Sequence, residues 1–226
     1  DNTVFSFIPN TAEMAFYGMV EGMEEYLDEW KVKELTSGKE LTAEEMKTIV
    51  TKKVRQEKVA NKDIKMRTFI STSDKRNDLA AHVYDITYGT IKPKVDNLVV
   101  IDDSIVRGTT LKQSILKILD RLEPKKIIVV SSSPQIRYPD YYGIDMEKFD
   151  HFVAFKAALE LLYENGKRSL IDETYRACLE ELKKPDAEQV NCTRAIYRPF
   201  SADDISRKIA DLLKPVDLNA DLELVF

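Results

Sequence analysis

Two adjacent carboxylates and a hydroxyl-rich turn lie within nine residues of each other in the stretch "NLVVIDDSIVRGTT", residues 97 to 110. The apolar run Leu98 to Ile101 ends on Asp102 and Asp103, and after Ser104, Ile105 and Val106 come Arg107, Gly108, Thr109 and Thr110. A turn that opens a helix presents free backbone amides to an anion. The helix dipole, two threonine hydroxyls and an arginine all favour negative charge there, and glycine permits close backbone approach. Paired carboxylates beside such a cradle suit vicinal hydroxyls or a hydrated divalent cation, because Mg²⁺ prefers one or two carboxylates completed by substrate oxygens. A sugar phosphate meets both halves at once. Read without function, the aspartates are a solvated helix entry and Gly-Thr-Thr its cap. The stretch is neither a Walker A loop nor a dinucleotide fingerprint, since both glycine patterns are absent.

The elements that must position these residues are legible around them. Leu98 to Ile101 reads as a buried strand. Leu111, Ile115, Ile118, Leu119 and Leu122 mark a helix stopping before Pro124, and Ile127 to Val130 is the next buried strand. That βαβ unit requires two parallel strands, with the carboxylates at the carboxyl end where open α/β sheets bind ligands. Upstream, Val4 to Ile8 reads as a strand, followed by a tight loop and a helix from Ala12 to Leu27, with Asn10 and Glu13 as a capping box. Residues 28 to 57 read as a helical insertion. Its clearest element starts at a Thr42–Glu45 capping box and carries Met46, Ile49, Val50 and Val54 on a face taken as solvated. Arg67 to Ile70 reads as a short strand and 71 to 78 as a surface loop. Beyond Asp150 the pattern is helical: one helix carries Phe152, Phe155, Leu159 and Leu162, a second spans about Ile171 to Leu182, and a third Asp203 to Leu213.

Composition bounds the function classes. The 226 residues are long enough for one α/β domain with its own core, and 43% hydrophobic with 32% charged residues, 7 Gly and 8 Pro excludes disorder and fibrous repeats. A net charge of -5 without a concentrated basic face disfavours nucleic acid. No apolar run is long enough to cross a bilayer and no signal peptide leads the chain, so a cytoplasmic protein is expected. Cys178 and Cys192 form neither a zinc signature nor a disulfide framework. His82 and His151, the only histidines, are read as surface or packed residues, Trp30 as an anchor of the insertion, and Asn191-Cys192-Thr193 as a chance sequon.

The whole of "VVIDDSIVRGTT" resembles the phosphoribosyl pyrophosphate (PRPP) motif of type I phosphoribosyltransferases, and specifically that of the amidophosphoribosyltransferases. Three more stretches agree in order: "FIPNTAEMAFYGM", residues 7 to 19; "RTFI", residues 67 to 70; and "SSSPQIRYPDYYGIDM", residues 131 to 146. The match covers roughly residues 1 to 27 and 62 to 160. It implies a type I phosphoribosyltransferase fold, a mainly parallel sheet flanked by helices. Residues 1–150 would form the transferase domain, and 151–226 a helical extension packed on it. It implies that Asp102 and Asp103 bind the ribose hydroxyls and Mg²⁺, with Thr11 near the metal and pyrophosphate. Ser104, Arg107, Gly108, Thr109 and Thr110 would hold the 5′-phosphate. Arg67 would begin a loop that folds over PRPP and offers Lys75 and Arg76. The implied reaction is transfer of the phosphoribosyl group to ammonia, giving 5-phosphoribosylamine and pyrophosphate in purine synthesis, by a homo-oligomer whose amino-terminal glutaminase domain supplies the ammonia.

This chain departs from that pattern in three respects. It has no counterpart of the cysteine-led glutaminase and opens on Asp1, so it is read as an excised carboxyl-terminal piece. Two unclustered cysteines supply no iron–sulfur cluster, and none is expected. Asp74, Asp78 and Asp85 stand where basic residues are commoner. A noncatalytic PRPP-sensing module is therefore the alternative to an enzyme, and a nucleobase salvage enzyme a third reading.

Overall fold

The structure, a computed structural model, describes residues 2–9, 11–62, 84–140, 146 and 148–226. Its centre is a five-stranded sheet in which all paired strands are parallel, in the order β2-β1-β5-β6-β7. The strands are β1 (Thr3–Phe7), β2 (Arg55–Gln56), β5 (Asn97–Asp102), β6 (Lys126–Ser131) and β7 (Asp221–Val225), while β3 (Ala60–Lys62) and β4 (Tyr84–Ile86) form a separate antiparallel pair. The expected parallel sheet flanked by helices is present. The strand expected at Arg67 to Ile70 lies outside the described residues.

Strand alternation divides the core between two faces. Val4, Leu98, Val100, Ile127 and Val129 point to one face, and Phe7 and Ile101 to the other. β5 is central and apolar on both sides, with Leu98 to Ile101 all buried, as a continuous hydrophobic run requires. The second face is covered by α1 (Glu13–Leu35), which inserts Phe16 and Val20, the Phe16 ring lying 5.0 Å from that of Phe7. The first face carries the remaining helical layers. They are α3 (Leu116–Asp120), α4 (Val153–Glu164), α5 (Ser169–Glu181), the short α6 (Arg194–Tyr197) and α7 (Ala202–Leu213).

Several local expectations are corrected. Helix α1 begins at Glu13 with Ala12 in the cap position and no side-chain cap there, and Asn10, the expected capping residue, lies outside the described residues. It then runs eight residues past Leu27, because the Asp28–Leu35 segment is polar without containing a breaker. The Thr42–Glu45 capping box does form, at the start of α2 (Ala43–Thr51), and α2 buries no residue, as its solvated face required. Trp30 is half-buried, with the Lys52 ammonium 4.6 Å over its ring. The helix after Gly108 starts in α conformation at Thr109 and Thr110 and then passes through a π-helical turn, Leu111–Ile115, before α3. The segment beyond Asp150 also returns a strand to the sheet, since β7 pairs with β6 from Lys126↔Asp221 to Val130↔Val225.

At the end of the sheet away from the aspartate pair, Asp96 is wholly buried just before β5. Arg55 of β2 grips it with two 2.8 Å hydrogen bonds, and the Lys92 amide donates a third at 2.9 Å. The guanidinium bonds outweigh burial and hold the Asp96 carboxyl below the ordinary carboxylate range. A depressed folded pKa gives stability that is present above the unfolded value and lost as pH falls through the folded one. Arg55→Met, which strands a buried charge, is therefore expected to cost about 3 kcal/mol at neutral pH. The difference from wild type should shrink in acid, as protonation of Asp96 removes the buried charge that Arg55 partners. Urea denaturation of both proteins at neutral and at acid pH measures it.

Candidate functional site

The crevice forms where the chain reverses its direction across the sheet. From β1 the chain moves outward to β2 on one side, and from β5 to β6 on the other, so α1 and α3 cover opposite faces. The point between β1 and β5 is thus a topological switch, where the loops after two neighbouring parallel strands diverge and leave a groove. Register sets the two loops level: Phe7 pairs with Ile101, and the Ile8 amide donates to the Ile101 carbonyl at 2.9 Å.

The three residues expected near a metal, Thr11, Asp102 and Asp103, lie at this crevice. Thr11 Oγ1 donates to Asp103 Oδ2 at 2.7 Å, joining residues 92 apart in the chain. Asp103 Oδ1 accepts from the Ser104 amide at 2.7 Å, and Asp102 Oδ1 from the Asp103 amide at 3.0 Å. Asp103 is exposed and Asp102 half-buried at the end of β5. Ser132, after β6, completes the rim: its hydroxyl donates to the Asp103 carbonyl at 3.0 Å and its amide to the Asp102 carbonyl at 2.9 Å. Sequence reasoning assigned Ser132 no role. The signal available was that it follows β6, whose end lies level with Asp102.

These groups suit a hard cation. They offer oxygen donors on one exposed edge, two carboxylates and a hydroxyl, with solvent access for water and substrate oxygens. Among the described residues no cluster of three or more His, Cys, Asp or Glu exists that could hold a metal ion unaided. That fits Mg²⁺ held jointly with a ligand better than a closed protein site.

The Arg107–Thr110 turn follows at once. Ile105 is buried and anchors it, while Thr109 and Thr110 are exposed. The first backbone bond into the helix runs from the Lys112 amide to the Gly108 carbonyl at 2.9 Å, so the amides of Thr109 and Thr110 precede the intrahelical ladder. The structure adds a second requirement for glycine at position 108. Its φ of 70° lies in the left-handed region, and a Cβ there would come within 2.5 Å of Leu213 Cδ2. Glycine is needed for backbone conformation and for packing against α7.

The carboxyl-terminal segment props this turn from behind. Besides Leu213, Lys112 Nζ donates to the Leu212 carbonyl at 2.7 Å, the Val153 amide to the Val106 carbonyl at 2.9 Å, and Arg107 Nη2 lies 2.7 Å from His151 Nδ1. His151 was read as a bystander, and the structure places it against a cradle residue. The segment Gln135 to Tyr138, after β6, is tied down similarly. Gln135 Nε2 donates to Ser206 Oγ and the Ala202 carbonyl, and Tyr197 Oη to the Arg137 carbonyl, with Tyr138 edge-on to Tyr197. Burial pushes the Tyr197 phenol far up. The cavity of about 660 Å³ beside β7 lies away from the aspartates, between Pro134–Arg137 and α7. Arg67, Lys75 and Arg76 fall outside the described residues, as do His82, Asp74 and Asp78.

Comparison with known proteins agrees with the resemblance. No family model matches the chain. It is similar to the amidophosphoribosyltransferase of Haemophilus influenzae, with 37% identity over 103 residues, covering 44% of this chain and 20% of the relative. The Escherichia coli amidophosphoribosyltransferase is 30% identical over 129 residues, covering 55% and 25%, and that of Pyrococcus horikoshii 43% identical over 74 residues, covering 32% and 16%. The chain therefore matches at most about a quarter of the length of these curated relatives. Among solved structures, glutamine PRPP amidotransferase from B. subtilis complexed with ADP and GMP superposes with a TM-score of 0.45 at 22% identity, covering 74% of this chain and 30% of that one.

The turn geometry yields a test. Gly108→Ala is expected to destabilise the fold by about 1–2 kcal/mol through the left-handed φ alone, and by more through the clash with Leu213. Leu213→Ala removes the clash and leaves the φ cost. A double-mutant cycle by thermal or urea unfolding should show a favourable coupling between the two changes.

Proposed function

We propose that this chain is the phosphoribosyltransferase part of an amidophosphoribosyltransferase and catalyses transfer of the phosphoribosyl group of PRPP to ammonia. The products are 5-phosphoribosylamine and pyrophosphate, the first step of purine synthesis. The observation that carries the reading is the Thr11–Asp103 hydrogen bond, at the switch point of the sheet and four residues from the Arg107–Thr110 turn. A pair of carboxylates and an anion cradle on one strand end match the two vicinal hydroxyls and the 5′-phosphate of a phosphorylated ribose. The similarity to named amidophosphoribosyltransferases supports the choice of acceptor.

In this reading Arg107, Thr109 and Thr110, through the side chains and amides of the turn, hold the 5′-phosphate, with Ser104 at its entrance and Gly108 shaping the backbone. Asp102 and Asp103 orient the ribose hydroxyls. Asp102, Asp103 and Thr11 would also hold Mg²⁺, which when bound supplies charge stabilisation for the leaving pyrophosphate. Arg67, Lys75 and Arg76 are assigned to the pyrophosphate side. Departure of pyrophosphate builds positive charge at the anomeric carbon, and the neighbouring carboxylates stabilise it without a covalent nucleophile. Ammonia attacks the opposite face, which requires exclusion of competing water. Residues 151–226 belong to the same domain in this reading. A glutaminase elsewhere in the whole protein supplies ammonia, and the protein works as a cytoplasmic homo-oligomer.

With PRPP, Mg²⁺ and ammonium chloride the purified chain is expected to release pyrophosphate at a rate that rises with pH toward the ammonium pKa, since only NH₃ carries the attacking lone pair. Glutamine alone should give none, because in this reading a separate glutaminase supplies the ammonia. Asp102→Asn and Asp103→Asn should each cut the rate on the order of 100-fold while leaving the melting temperature within a few degrees, as surface substitutions do. Mg-PRPP binding without turnover under all conditions would favour a sensing module, and no PRPP binding would overturn the site.

A further inference from the structure

Cys178 and Cys192 carry no spacing motif, yet the fold sets them side by side. Cys178 lies in the last turn of α5, three residues before its end at Glu181, and Cys192 lies two residues before α6. Glu181 folds the intervening chain back: one carboxylate oxygen accepts from the Val190 amide at 3.0 Å, the other from Lys184 Nζ at 2.7 Å, and Gln189 Nε2 closes the loop on the Lys184 carbonyl at 3.0 Å. From the Glu181–Val190 bond Cys178 is three residues back along the helix, about 4.5 Å, and Cys192 two residues on, at most about 7 Å of chain. The returning chain thus runs back along α5 and brings the two thiols into hydrogen-bonding contact. Both are free and half-buried. Burial, the Cys192 sulfur and the Glu181 carboxylate, in falling order of effect, push the Cys178 thiol up. A closed zinc site needs four ligands, and among the described residues no group of three or more His, Cys, Asp or Glu could hold a metal ion. Two thiols in contact without a third ligand suit redox chemistry instead.

We propose that Cys178 and Cys192 are a reversible dithiol–disulfide couple that staples the end of α5 to the start of α6. The proposal is independent of the reaction assigned to the end of β5. The oxidant is a low-molecular-weight disulfide. The thiolate of one cysteine attacks a sulfur of that disulfide, breaking its S–S bond and expelling one thiolate. The thiolate of the other cysteine then attacks the protein sulfur of the mixed disulfide and expels the second. The two protein thiols lose two electrons and two protons, and the reagent takes up both and leaves as two thiols. The bond closes a loop of residues 179–191, which restricts the unfolded chain and so stabilises the fold. It also constrains a corner with reach into the rest of the domain, because the Tyr197 hydroxyl at the end of α6 donates to the Arg137 carbonyl at 2.7 Å and its ring lies edge-on to Tyr138. In a reducing compartment such a couple is transient and reports oxidation.

The full chain, Cys178→Ser and Cys192→Ser would each be treated with oxidised glutathione at about pH 8 and then with dithiothreitol. Thiol titration in denaturant, intact mass, non-reducing electrophoresis and thermal melts would follow each step. The wild type is expected to lose both thiols and two hydrogens of mass, with no glutathione adduct and no linked dimer. Its melting temperature should rise by about 5–10 °C, and dithiothreitol should reverse every change. Each serine variant should stop at a free thiol or a single glutathione adduct, with no such rise. A wild type that keeps both thiols, stops at glutathione adducts or links two chains would overturn the couple. An internal disulfide that leaves the melting temperature unchanged or lowers it would overturn the staple, and so would an equal rise in either serine variant.

Discussion

The parallel pairing of β1 with β5 is the constraint on which the candidate site depends. Five residue pairs, from Thr3↔Asn97 to Phe7↔Ile101, bring the two strands to the same level at their carboxyl ends. The Thr11 hydroxyl meets Asp103 because the loop after β1 is no longer than the chain needs to step from Phe7 to Glu13. A slip of one residue would turn Val4, Leu98 and Val100 out of the larger core face, so hydrophobic burial enforces the register that the site uses. The site's geometry is in this sense a by-product of core packing about 10 Å or less away, roughly the thickness of one layer.

The second requirement is support for the turn after β5. Left-handed backbone at Gly108 followed by a π-helical turn is a costly local conformation, and it persists only where surrounding structure over-determines it. That support comes from residues more than 40 positions downstream: Leu213 fills the space where a side chain on Gly108 would stand, the Leu212 carbonyl at the end of α7 accepts from Lys112 Nζ, and the Val153 amide binds the turn's Val106 carbonyl. α7 is in turn fixed by a Ser201–Asp204 capping box, and the Ser201 bonds bring the Asp204 carboxyl down to about 2. The helices after Asp150 therefore shape the Arg107–Thr110 turn as much as they cover the sheet.

What could be read in the sequence was what is local. The buried run of β5, the capping box at Thr42 and the placement of Asp102–Asp103 at a strand end each rest on patterns within a dozen residues. The two edge strands were not legible. β2 is two residues long, and β7 is five residues whose alternation of Asp, Leu, Glu, Leu, Val is too short to stand out after a helical segment. Without β2 the switch point is invisible, because it is defined by the chain turning both ways from the β1–β5 pair. Ser132, His151 and Leu213 were missed for a related reason. Each becomes part of the site only through tertiary proximity, and a lone serine, histidine or leucine carries no spacing signal. The meeting of Thr11 and Asp103 came from a resemblance and not from periodicity.

The charge arrangement at the strand end explains why, on the proposed function, the protein's own groups are insufficient. Asp102 and Asp103 place two carboxylates within a few residues of a cradle built for a dianion. Like charges about 4 Å apart near a protein surface repel by roughly 4 kcal/mol at an effective dielectric of 20. The donors on Asp103 are neutral, the Ser104 amide and the Thr11 hydroxyl, so they orient its oxygens without cancelling their charge. Arg107, shared with His151, is the single cation in the turn itself. A ligand bearing phosphate at both ends is therefore repelled at the carboxylates unless it arrives with its own cation. The exposed carboxylate edge, with no third acidic or imidazole ligand grouped with it among the described residues, is open to a cation that the ligand brings with it. Thr11 then has a physical purpose beyond metal contact: by donating to Oδ2 it holds Asp103 in one orientation before any ligand is present, which lowers the entropic cost of assembling the site.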